Sequence, residues 1–135
     1  MTDYRKLIES ILSDVSGNGH RRESAARLAN AALFYEAAKA CGNSGSFPLS
    51  IISDGESFWM HGPLHPPYGP GVFFKRAGER LVWEATGMPS VALGDLAPRH
   101  EWEPAKSAEP QMRSHISHWI EMAVEALTRA HALNR

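Results

Sequence analysis

Four short stretches of this chain set large apolar residues side by side: Ile51-Ile52, Phe58-Trp59-Met60, Val72-Phe73-Phe74 and Leu81-Val82-Trp83. Each is bounded by turn-forming residues and is too short for an ordinary helix, so each reads as a strand. Successive side chains of a strand point to opposite faces of its sheet. A sheet with one wet face alternates apolar and polar residues, whereas runs like these put large apolar groups on both faces. Whatever this chain folds into has to cover both.

The turns between the runs set the pairing. Residues 47–53 read as a strand, Asp54-Gly55 as a two-residue type I′ turn, and 56–61 as the returning strand. Asp-Gly between apolar runs is a strong hairpin signal, because both central residues of that turn need positive φ. A second hairpin is predicted from 72–76 and 79–86 around Ala77-Gly78. Between the hairpins, residues 62–71 hold four prolines and three glycines, including Pro66-Pro67-Tyr68-Gly69-Pro70. Proline has no N–H to give a ladder, so this segment is expected to loop out of the sheet.

Helical periodicity frames the sheet. Tyr4, Leu7, Ile8, Ile11, Leu12 and Val15 form one apolar stripe over 3–16, ended by Gly17-Asn18-Gly19. An alanine-rich helix is expected over 20–41 with Gly42 at its C′ position. It is apolar almost all round, which predicts packing on more than one side. A long final helix over 110–133 carries Met112, Ile116, Trp119, Ile120, Ala123, Leu127 and Ala130 on one stripe. Residues 87–109 read as an irregular linker, with a short strand at 91–93 or a helical turn near Asp95, and a polar stretch over 99–110. The expected fold is α+β, one domain over 1–135, in the order α-α-β-β-β-β-α. Its sheet is an antiparallel four-stranded meander of two hairpins over 47–86, with two N-terminal helices and one long C-terminal helix. The second sheet face then falls to the chain's own helices or, equally, to the same face of another copy.

Charge removes two function classes. The chain has 14 basic and 15 acidic residues. They are spread evenly: six against five over 1–46, three against five over 47–98, and five against five over 99–135. Nucleic-acid binding needs a basic face and electrostatic membrane binding a basic cluster, so neither is expected. The start of the sequence lacks the apolar core of a secretory signal, and no stretch approaches the roughly 18 apolar residues of a membrane span. Cys41 has no partner for an internal disulfide. A cytoplasmic location is the expectation.

Chemistry-bearing motifs are sparse. No Gly-x-Ser-x-Gly, P-loop or dinucleotide fingerprint occurs. His61 and His65 lie four apart around Gly62-Pro63-Leu64, at a strand end and in the proline loop, where functional groups often sit. A metal there would need further ligands, so ordinary loop histidines are the plainer reading and no metal or cofactor is expected. His115 and His118 are three apart on the last helix and read as a solvated face paired with Glu121 and Glu125. Cys41, at a helix C-terminus, is placed where the dipole disfavours a thiolate. Trp102 stands between Glu101 and Glu103 and, if it met the Tyr68 loop over the sheet, would wall a pocket.

The leading expectation is a small cytoplasmic binding or adaptor domain without enzymatic chemistry, a homodimer working through an apolar sheet face. A protein partner or a small apolar ligand is the next expectation for that face. The alternative is a small-molecule-binding or enzymatic domain, its site at the proline loop and the 87–98 segment, with His61, His65, Tyr68 and Trp102 as candidate ligand-binding residues.

Overall fold

A computed structural model describes residues 21–43, 47–54 and 57–133. The helix expected over 3–16 lies outside them. In chain order the elements are α1 (Arg21–Asn43), β1 (Ser50–Ser53), β2 (Ser57–His61), β3 (Gly71–Ala77), β4 (Arg80–Thr86), α2 (Ser90–Leu93), β5 (Arg99–Trp102), a 3-10 turn (Pro104–Lys106) and α3 (Glu109–Leu133). The class is α+β, with one antiparallel sheet in the order β1-β2-β3-β4-β5. Each strand neighbours the next in sequence, so the sheet is a plain meander.

Five strands replace the expected four. The stretch read as polar linker contains β5, which pairs Leu81 with Trp102 and Trp83 with His100. Arg99-His100-Glu101-Trp102 alternates with period two. Its two charged residues point away from the core, and they disguise the aromatic pair that points in. The 87–98 segment forms a short helix at 90–93, in place of the strand alternative.

Both hairpin turns sit one residue later than the turn residues suggest. Ser53 pairs with Phe58, whereas a two-residue turn at 54 and 55 would pair it with residue 56. Asp54 occupies the first position of the turn, where its Oδ1 accepts from the Ser57 backbone N–H at 2.9 Å and the Ser57 hydroxyl at 2.8 Å. Short polar side chains favour that position because they can cap the turn. In the second hairpin Ala77 pairs with Arg80 across Gly78-Glu79. Gly78 alone takes a positive φ, 64°, as a type II′ turn asks of its first central residue. The first strand is also shorter than expected. Phe47 and Leu49 are buried but precede β1, with Pro48 between them.

The helices sit together on one side of the sheet. Ala29, Ala32, Leu33 and Ala37 of α1 pack with Phe58, Met60, Val72, Phe74, Leu81 and Trp83, and with Ile116, Trp119, Ala123 and Leu127 of α3. Alanine lets α1 approach both the sheet and α3 closely, so its all-round apolar surface is used on more than one side. It runs on through Gly42 to Asn43, beyond the expected stop. Trp83 donates its indole N–H to the Trp119 carbonyl at 3.0 Å, tying β4 to α3. The α3 stripe read from sequence is the buried one: Met112, Ile116, Trp119, Ile120, Ala123, Leu127 and Ala130 are all buried.

Candidate functional site

The register assigns every strand residue to a face. Phe58, Phe74, Trp83 and His100 share one row beneath the helices. The adjoining outward row reads Ile52, Trp59, Phe73, Glu84 and Arg99. In this row Trp59 and Phe73 stack with ring centroids 4.4 Å apart, and Ile52 is 40% exposed. Lys75 lies over the Phe73 ring at 5.9 Å, and Arg99 donates to Glu84 at 2.6 Å. The next outward row places buried Val82 between Lys75 and Glu101. Among the described residues, both long helices pack against the opposite face.

The proline loop borders one end of this outward face. His61 closes β2 on the outward side, opposite Gly71. A Cβ added at Gly71 would meet Pro66 Cγ at 2.9 Å and Trp59 Cε3 at 3.2 Å, so the loop folds back against the Trp59 ring. Only hydrogen fits there. At Gly87, with φ 65°, a Cβ would stand 3.1 Å from the Gly69 carbonyl oxygen. The loop thus touches the start of the 87–98 segment, as the alternative reading requires. The Pro66–Pro67 peptide is cis. Leu64 and Tyr68 project from the loop at 57% and 83% exposure.

His61 is 2% exposed and His65 is exposed, with ring centroids 4.6 Å apart. The loop therefore brings this histidine pair together. His61 Nδ1 lies 2.7 Å from the Gly62 carbonyl, an acceptor, so in the neutral ring Nδ1 carries the proton and Nε2 the lone pair. That Nε2 is buried and makes no hydrogen bond to a described residue.

Trp102 does not join this site. It faces inward, at the Leu81 end of β4, whereas the loop borders the Thr86 end. Leu81 and Thr86 are five strand steps apart, about 17 Å. Instead Trp102 stacks on His115 at 4.1 Å and meets Trp119 edge-on at 5.9 Å. His100 meets Trp83 at 5.2 Å. The Nε2 atoms of His100 and His115 are buried and make no hydrogen bond to a described residue. Partial burial, with His118 and His100 nearby, pushes the His115 pKa below its ordinary value. The solvated reading of this helix face holds for exposed His118 and fails for His115, which lies one turn before Trp119 on the edge of the apolar stripe. This histidine–tryptophan cluster was missed from the sequence because β5 was missed.

Cys41 is half-buried, and burial raises its thiol pKa, which disfavours the reactive thiolate. No group of three or more His, Cys, Asp or Glu among the described residues is arranged to hold a metal. No helix among them is long and apolar enough to cross a membrane. Compared with known proteins, the chain matches no family model, no curated protein and no solved structure.

Proposed function

We propose that this chain is a cytoplasmic binding domain that works as a homodimer through the outward face of its sheet. The observation that carries this reading is the Ile52–Trp59–Phe73 row, apolar and partly open on the face opposite both described long helices. Aromatic residues gathered on an otherwise polar surface are the usual anchors of an interface. Water contact at such a patch is costly, and a two-fold contact removes it from both copies at once.

Charge supports a second copy as the occupant. An isologous contact needs a patch that is its own complement. Lys75 and Glu101 flank Val82 in one row, and Glu84 and Arg99 follow Phe73 in the next. Both signs are present in equal number, so a copy rotated by two-fold symmetry can set lysine or arginine against glutamate. A strongly basic or acidic partner would gain nothing from such a face.

Sedimentation equilibrium of the full chain tests this. The wild type is expected to be a dimer at micromolar concentration, and Phe73→Glu a monomer with its circular dichroism unchanged. A wild type that stays monomeric across the concentration range overturns the reading, as does a Phe73→Glu dimer as tight as the parent.

A further inference from the structure

We propose that His61 and His65 form a binding site for a late first-row divalent metal ion, of which Cu2+ is the preferred member. The inference stands apart from the dimer reading and uses the end of the sheet, where the proline loop begins.

Three features of the pair point to a metal. The first is the tautomer. A histidine that ligates through Nε2 ordinarily donates its Nδ1 proton to a carbonyl or carboxylate, which holds the ring and makes the free nitrogen a better donor. The His61 ring has that arrangement, with Nδ1 at 2.7 Å from the Gly62 carbonyl oxygen. The second is the stranded lone pair. His61 is 2% exposed, and its Nε2 makes no hydrogen bond to any described residue. A buried acceptor left in that condition keeps its desolvation cost uncompensated, and a cation removes that cost.

The third feature is spacing. Two imidazoles on one ion, with metal–nitrogen bonds of about 2.0–2.1 Å, place their ring centroids about 4.5–5.2 Å apart for angles from square to tetrahedral. The His61–His65 separation of 4.6 Å lies within that range. Imidazole donors suit Cu2+, which also stands at the top of the affinity order for divalent first-row ions. The chemistry of the donor set agrees. Two neutral imidazoles without a carboxylate favour Cu2+ and Ni2+ and give nothing to Mg2+ or Ca2+. No third His, Cys, Asp or Glu among the described residues is grouped with the pair. His65, on the exposed loop, is the entry side.

The test is a titration of untagged full chain with Cu2+, followed by electron paramagnetic resonance. One Cu2+ per chain is expected, with hyperfine structure from two imidazole nitrogens. His65→Ala, at an exposed position, is expected to keep the fold, weaken binding at least ten-fold and remove one nitrogen from the spectrum. His118→Ala reports on the other histidine pair close in sequence and is expected to bind as the wild type does. Ca2+ should not compete. Undiminished binding by His65→Ala overturns the site, and so does a loss of binding confined to His118→Ala. The oligomeric state of the same samples separates this result from the interface: a monomer that binds Cu2+ through His65 sinks the dimer and keeps the metal site.

Discussion

The two faces of strands β2 to β4 are built from alternate residues of the same few segments, yet they do different work. Inward, Phe58, Phe74 and Trp83 are almost wholly buried, and Trp83 is hydrogen-bonded to α3. Outward, Trp59 and Phe73 stack but stay partly open, and the row ends in the Glu84–Arg99 ion pair. Aromatic content alone does not separate stability from recognition. What separates them is how completely each ring leaves water, because only complete removal returns the full hydrophobic gain.

The comparison breaks most easily at its strongest point. Trp83→Ala is expected to cost about 3–5 kcal/mol in urea unfolding, through lost burial, a cavity and the lost indole hydrogen bond to Trp119. Trp59→Ala should cost about 1–2 kcal/mol, since less of its surface leaves water on folding. Equal losses would show the outward face to be as sealed as the inward one. Gly71→Ala comes next, at about 1–3 kcal/mol, because its new methyl would overlap Pro66 and crowd Trp59. A stability change near zero there would show that the loop does not lean on the sheet.

An acid titration sharpens the contrast between β5 and the outward face. The folded His115 has a lowered pKa, so the unfolded chain takes up that proton first as the pH falls. The stability tied to the neutral ring is fully present above about pH 6.5 and is lost as the pH drops toward the folded value. Urea midpoints at pH 7.5 and pH 5 should therefore differ less in His115→Gln than in the wild type. An unchanged difference would mean that other groups set the acid sensitivity. The smallest effect is expected at Arg99→Ala, whose partners Glu84 and Glu101 are all partly exposed: within about 0.5 kcal/mol by the same unfolding assay.

Which parts of this architecture could be read beforehand follows from how loudly each residue speaks on its own. The α3 stripe was legible because its seven apolar positions recur at helical spacing and all turn inward. Both hairpins were legible from Asp54-Gly55 and Ala77-Gly78, but their registers were each off by one. A turn's register depends on which residue caps it, and Asp54 binds Ser57 as the first residue of the turn, not as a central one. The fifth strand was hidden because Arg99 and Glu101 dominate a four-residue segment whose other members, His100 and Trp102, are drawn inward by β4. With it went the partial burial of His115, whose ring stacks on Trp102 of that strand. The closeness of His61 and His65 was readable as spacing. The stranded Nε2 was not, since it depends on where Gly62 turns its carbonyl.

The meander order bears on how the chain reaches this state. Every strand pairs with its immediate successor, so each ladder closes a short loop at little entropic cost. The α1–α3 contact is different, because the whole sheet intervenes in sequence between its two halves. The dearest closure in folding is thus helix against helix, after the strands have local reasons to pair. Mutations in the β3–β4 hairpin are then expected to slow folding, and those at the α1–α3 seam to speed unfolding instead.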